Sequence, residues 1–179
     1  MRVLRVVETD DSQGFQMGDK ITVPYNVQDF TATCQVVKDG RALFFFDDCI
    51  GRRQMNNTNT NKGGYAESDL KAWIDKSVFP ALQAVFGERL QSVDIPTVEQ
   101  LFGDSGYEKM EKLDCEQLPL QRIRQSRICS DPSGDWEWYW LQNRYGSVCF
   151  ANVANCGGCN YIGASNSIGV RPAFVLIDR

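Results

Sequence analysis

An α+β fold with a C-terminal antiparallel sheet follows from two observations: strand-like runs occupy both ends of the chain, and short helical segments gather between them. A third supports it. At 179 residues, 42% hydrophobic and 23% charged, the chain suits one domain with a sizeable core, and no internal repeat, low-complexity tract or linker divides it. Residues 1–179 are therefore read as a single domain, with 1–40 as a β-rich N-terminal segment.

The elements follow in order. Val3 to Val7, Ile21 to Tyr25 and Thr31 to Val37 are short β-rich runs separated by Gly14, Gly18 and the turn pair Asp39-Gly40, which predicts a hairpin into the next strand. That strand, Ala42 to Cys49, is almost continuously apolar, so it should be central and covered on both faces. A polar loop over 52–64 leads to Ser68, an N-cap for a helix through Lys76 whose Leu70, Trp73 and Ile74 form one apolar stripe. Pro80 opens a second short helix with Leu82, Val85 and Phe86 inward and Gly87 as its stop. Thr97 with Gln100 is a capping-box pattern for a third helix ending at Gly103. Residues 104–135 are charged and irregular and read as an inserted loop. Strands then resume: Trp136 to Leu141, Ser147 to Val153, Cys159 to Ile162 and Val170 to Ile177, with glycines in the intervening turns.

Composition removes several function classes. A net charge of -4 with scattered Lys and Arg argues against a nucleic-acid or anionic-membrane partner. The N-terminal apolar run is too short for a signal-peptide core and no later run spans a bilayer, so the expectation is cytoplasmic synthesis without membrane insertion. Seven cysteines, Cys34, Cys49, Cys115, Cys129, Cys149, Cys156 and Cys159, form no even framework and read as mostly free thiols. The chain has no histidine, which excludes Ser-His-Asp and Cys-His catalysis.

Individual motifs point to structure before chemistry. Cys156-Gly-Gly-Cys159 lacks the second ligand pair of a closed zinc site, and Gly157-Gly158 reads as a hairpin tip, not the start of a redox helix. No metal or cofactor is expected. Asp47-Asp48 reads as a solvated edge and a cap, and Glu67 and Glu99 as anions at helix N-termini. Alternation places Trp136, Trp138 and Trp140 on one strand face, as core packing or as a sugar-stacking platform. Arg171, pinned before Pro172, suits multidentate bonding to loop carbonyls.

The end of the chain carries a compositional anomaly. Residues 143–179 contain no Lys, Glu, Gln, Met or Trp, although the chain has 7, 8, 12, 4 and 4 of them. Even placement would put about seven of them there. These five are the residues whose codons never end in a pyrimidine, so a segment derived from Asn codons by changing only the two adenines could not contain them. The plainer reading is a Gly/Asn-rich pair of hairpins that happens to lack long polar side chains.

Four blocks, Ser68-Asp-Leu-Lys-Ala-Trp-Ile74, Ile95-Pro-Thr-Val-Glu-Gln-Leu-Phe-Gly103, Glu137-Trp-Tyr-Trp-Leu141 and Gly163-Ala-Ser-Asn-Ser-Ile-Gly-Val-Arg-Pro-Ala-Phe174, resemble the DUF6273 family. That family includes variable proteins of diversity-generating retroelements from gut bacteria and their phages, and the resemblance runs from Ala42 to Ile177. It implies a C-type-lectin-like region over 41–177 with a variable segment at 143–168, whose residues are rewritten by adenine-directed mutagenesis. The positions it marks as rewritten are Arg144, Tyr145, Ser147, Cys149, Asn152, Ala154, Asn155, Cys156, Gly158, Cys159, Asn160, Tyr161, Ile162 and Ile168. Trp138, Trp140, Val153, Arg171 and Pro172 stand as its scaffold. The implied function is non-enzymatic, hypervariable binding of a protein or glycan, on a phage particle or cell surface, with a homo-oligomer left open. The chain lacks the Glu-Pro-Asn-like and Trp-Asn-Asp-like motifs of calcium-dependent lectins. Two alternatives stay open: a formylglycine-generating-type oxidase using Cys156 and Cys159 with copper, and a fixed carbohydrate-binding module using Trp138 or Tyr139.

Overall fold

The computed structural model describes residues 14–178, so the strand expected at Val3 to Val7 lies outside the described residues. In chain order the strands are β1 (Lys20–Tyr25), β2 (Gln28–Lys38), β3 (Arg41–Phe46), β4 (Arg52–Gln54), β5 (Leu90–Asp94), β6 (Cys129–Ser130), β7 (Trp136–Glu137), β8 (Tyr139–Tyr145), β9 (Cys149–Val153), β10 (Cys159–Gly163), β11 (Ser167–Gly169) and β12 (Ala173–Ile177). The helices are α1 (Asp69–Trp73), α2 (Phe79–Phe86) and α3 (Val98–Phe102). The fold is α+β and mostly antiparallel.

One sheet runs β1-β2-β3-β12-β5 and the other β10-β9-β8-β11-β4, with β6 and β7 as a separate two-residue ribbon. The apolar run of β3 takes the middle of the first sheet, as its composition predicts. Phe44 and Phe46 face one core cluster and Phe45 the other, so the strand is covered on both sides. Asp39 and Gly40, both at positive φ, close the β2–β3 hairpin. Both clusters are shared between the sheets: one joins Phe44 and Phe174 to Trp140 and Phe150, the other joins Phe45 and Ala173 to Tyr139 and Val153.

The two helices expected on either side of Pro80 are one continuous helix from Asp69 to Arg89. Ser68 caps it by accepting from the Lys71 N–H at 3.0 Å. A π-helical turn, Ile74–Val78, separates α1 from α2, with the Phe79 N–H bonded to the Ile74 carbonyl. The wider turn absorbs the proline, whose missing N–H and bulky ring would otherwise break an α-helical ladder. Helix α3 has the capping box read from Thr97 and Gln100 and ends at Gly103, which has φ 74°. Four strands were not anticipated: β4, β5, β6 and β11 are short and mixed in composition, and pairing with neighbours makes them strands.

The strand expected over Trp136 to Leu141 divides at Trp138. Its N–H takes the Glu137 carboxylate at 3.0 Å and its carbonyl takes the Gly169 N–H at 2.7 Å, which draws this residue out of the β6–β7 ladder. The three indoles therefore separate: Trp140 is fully buried, Trp138 is half-buried and Trp136 is 74% exposed. Among the described residues no helix is long and apolar enough to cross a membrane.

Candidate functional site

Residues 143–163 of the segment marked by composition map onto one edge of the second sheet, while the rest of it supplies β11 and β12 inside the two sheets. That edge comprises the end of β8, the β8–β9 turn, β9, the β9–β10 hairpin and the edge strand β10, in the order set by the antiparallel pairings. Ser147, Asn155 and Cys156 are exposed; Arg144, Tyr145, Cys149, Ala154, Gly158, Cys159, Asn160, Tyr161 and Ile162 are half-buried.

Two of the expected positions are not at the surface. Asn152 is fully buried, because it faces the cross-strand neighbour Trp140 on the inner side of β9. Ile168 is 5% exposed within the first core cluster, where β11 is pinned between β4 and β8. Neither side chain can meet a ligand without opening the sheet. The exposed positions also do not lie on one flat face. Strand alternation sends Cys159 and Tyr161 toward one core cluster and Ile162 toward the other, so the candidate surface wraps round the β10 edge.

Tyrosines dominate one side of that edge. Tyr145 from β8 and Tyr161 from β10 stack with ring centroids 3.7 Å apart and planes 21° apart. Both strands flank β9, so the rings meet across it, above the small side chains of Cys149 and Ala151, which pair with Tyr145 and Tyr161. Tyr107 packs edge-on against both, at 5.9 Å and 5.2 Å, and its hydroxyl donates to the Cys159 carbonyl at 3.3 Å. The neighbouring Tyr145 side chain pushes the Tyr161 phenol above its ordinary value.

Residues outside the segment hold this edge. Glu111 accepts from the Arg144 backbone N–H at 2.9 Å and from its guanidinium at 2.7 Å, so the one cation among the candidate positions is neutralised in place. Asn61 donates to the carbonyls of Gly146 and Cys149, each at 3.0 Å, and clamps the β8–β9 turn. Arg124 donates to the Cys156 carbonyl at 2.6 Å and Arg127 to the Gly157 carbonyl at 3.0 Å, which hold the hairpin tip. Gly157 has φ 79°, and a Cβ there would come within 2.9 Å of the Arg124 carbonyl, so no other residue fits. Tyr107, Asn61, Glu111, Arg124 and Arg127 were missed in the sequence. Only the high charge of 104–135 hinted at Tyr107, Glu111, Arg124 and Arg127, and nothing singled out Asn61 within its polar loop.

Beneath the edge, Asn143 is fully buried and uses its whole amide. Its Oδ1 accepts from the Val98 N–H at 2.8 Å, and its Nδ2 donates to Glu99 at 2.9 Å and to the Glu111 carbonyl at 3.0 Å. Among the scaffold positions, Trp140, Val153, Arg171 and Pro172 are buried and Trp138 is half-buried. The Trp140 indole donates to the Arg53 carbonyl at 2.8 Å. Arg171 donates to the carbonyls of Phe46 at 2.7 Å and Ser126 at 3.2 Å, and to the Tyr139 hydroxyl at 3.1 Å.

The cysteine pair of the hairpin is separated by its environment. Cys156 is exposed at the tip, where hydrogen bonds from Gly158 and Arg124 lower its thiol. Cys159 packs against the second core cluster, and burial, with the Glu99 charge, pushes it up to about 12. Both are free thiols. Tyr139 is buried with its hydroxyl donated to the Arg127 carbonyl at 2.7 Å, so it offers no face for a sugar to stack on.

No family model, curated protein or solved structure matches this chain. At the opposite edge of the same sheet, a cleft of about 420 Å³ is lined by Arg52, Arg53, Asn57, Asp69 and Ser167. None of the fourteen candidate positions lines it.

Proposed function

We propose that this chain is a non-enzymatic, hypervariable binding protein, with a C-type-lectin-like fold, diversified by a retroelement in the manner of the DUF6273 variable proteins it resembles. One observation carries the reading. Residues 143–163 of the segment that lacks Lys, Glu, Gln, Met and Trp supply the half-exposed edge of the second sheet, while the residues gripping that edge, Asn61, Glu111, Arg124 and Arg127, lie outside the segment. Such a division lets side chains change while the supports stay constant.

The surface chemistry suits recognition of a protein or glycan. Tyrosine supplies large contact area with little rotamer entropy to lose, and Ser147, Asn155 and Asn160 supply adaptable hydrogen bonds. The recognition unit is smaller than the compositional segment. It excludes Asn152 and Ile168, and it includes Tyr107 as a constant member of the aromatic cluster.

The decisive experiment is sequencing of the DNA around the coding region. The expected result is a near-identical repeat beside a reverse-transcriptase gene, with adenines in the codons for the exposed candidates. Codons in this segment that end in purines, or the absence of a template repeat, would overturn the proposal. A glycan array returning one ligand for several segment variants would instead favour the fixed carbohydrate-binding module, and the exposed Trp136 gives that reading its stacking residue.

A further inference from the structure

Two segments without an acidic residue meet at the tip of the β9–β10 hairpin. Residues 117–130 and 143–177 contain no Asp or Glu, in a chain that has 23 of them. The first of these segments carries Arg122, Arg124 and Arg127, and no carboxylate among the described residues lies within ion-pairing distance of any of the three. Positive charge is therefore gathered here without a neutralising neighbour, although the net charge of the chain is -4.

The hairpin itself holds two of the guanidiniums in place. Arg124–Arg127 is a 3-10 turn, whose period puts Arg124 and Arg127 on one face. From that face Arg124 donates through Nε to the Cys156 carbonyl at 2.6 Å, and Arg127 donates through Nε to the Gly157 carbonyl at 3.0 Å. The two accepting carbonyls belong to successive residues, so the cations sit side by side. Arg127 also donates to the Gln121 carbonyl and lies 4.8 Å from the centre of the Phe102 ring. A guanidinium has more N–H donors than these bonds use, so both forks keep donors for a ligand while their orientation is already set. Arg122 and Arg124 are exposed, as is Ile123 between them at 58%, and Asn155 and Cys156 are exposed at the adjoining tip.

We propose that Arg122, Arg124 and Arg127 form a clamp for an acidic segment of a target protein, with its carboxylates on the guanidiniums and one of its apolar side chains on Ile123. The proposal rests on the reading of the hairpin edge as a recognition surface, and it names the chemistry of the partner. Planar guanidiniums match carboxylates at two points, and the repulsion between two adjacent cations is relieved when an anion arrives. A nucleic acid is disfavoured, because three arginines on an acidic chain are too few to follow a phosphate backbone. A sulfated glycan would engage the cations but leave Ile123 uncovered. The arginines lie outside residues 143–168, so the preference for acid is common to every sequence variant of that segment, and Tyr145, Asn155 and Tyr161 select among acidic targets.

The test is fluorescence anisotropy of the full chain with an end-blocked peptide of Glu and Leu carrying a neutral dye, beside the same peptide with Gln in place of Glu. The Glu peptide should bind about tenfold more tightly than the Gln peptide, and added salt should weaken it. Arg122→Glu, at an exposed side chain, and Arg124→Glu should each weaken the Glu peptide about tenfold. Equal affinity for the two peptides, unchanged binding in both variants, or a heparin fragment that binds more tightly than the Glu peptide would overturn the proposal. If Arg124→Glu loses its cooperative melt, Arg122→Glu decides alone. A missing template repeat would sink the diversification reading and leave this result standing, whereas equal peptide affinities would sink the clamp alone.

Discussion

Asn152 offers the sharpest energetic test, because it is fully buried in the middle of β9 and neither polar atom of its amide has a hydrogen-bond partner. A buried polar group without a partner costs about 1–3 kcal/mol on protein mutational scales. Asn152 carries two such groups, so the low end of that range for each gives a penalty of roughly 2 kcal/mol. Asn152→Val removes both and places a β-branched residue in a strand centre, against a small cost for fitting a bulkier side chain beside Trp140. The expected net gain is about 1–2 kcal/mol, which raises the urea midpoint by roughly 0.5–1 M for a slope of about 2 kcal/mol/M. Asn152→Ala should gain less, because it leaves a void. A midpoint for Asn152→Val below that of the wild type would refute the reasoning. A rise would fit the proposed diversification, because changing the two adenines of an Asn codon yields Val, Ile, Leu and Phe among its products, and this buried position would then accept them.

Asn143→Ala should behave in the opposite way. It strands the Val98 N–H, the Glu111 carbonyl and the Glu99 carboxylate in the interior, and a loss of about 3 kcal/mol or more is expected in the same denaturation assay. Glu111→Gln tests the grip on Arg144 through pH. Burial pushes the Glu111 carboxyl up, but the Arg144 side-chain and backbone hydrogen bonds outweigh it and hold the group below the ordinary glutamate range. A depressed folded value stabilises above the unfolded value of about 4.3, and the contribution fades as pH falls through the folded value. Melting curves should therefore show wild type above Glu111→Gln near neutrality, with the gap closing only in acid; a gap that widens in acid would contradict the pairing. Val27, fully exposed at the β1–β2 turn with φ 58°, holds a β-branched residue in left-handed backbone. Val27→Gly should raise stability by about 1 kcal/mol, read as a higher melting temperature.

What could be read from the sequence alone was local. The Asp39-Gly40 turn, the Thr97 and Gln100 box and the tip at Gly157 each involve residues a few positions apart, and their chemistry closes within one turn. The covered faces of β3 were legible because an uninterrupted run of phenylalanines has no wet side to offer. Codon-like composition marked out the segment from Asn143 onward without any structural knowledge.

Tertiary structure decided the rest. Asn143 and Asn152 are the same residue on neighbouring strands, yet one satisfies its whole amide and the other none of it. The difference comes from Val98, Glu99 and Glu111 lying opposite Asn143. Tyr107 joins Tyr145 and Tyr161, and Cys129 meets the Asp47 carbonyl, through contacts between segments with no shared local pattern. Periodicity states which side of a strand a residue takes. Whether that side holds water, a tyrosine or an arginine depends on what the chain folds against it.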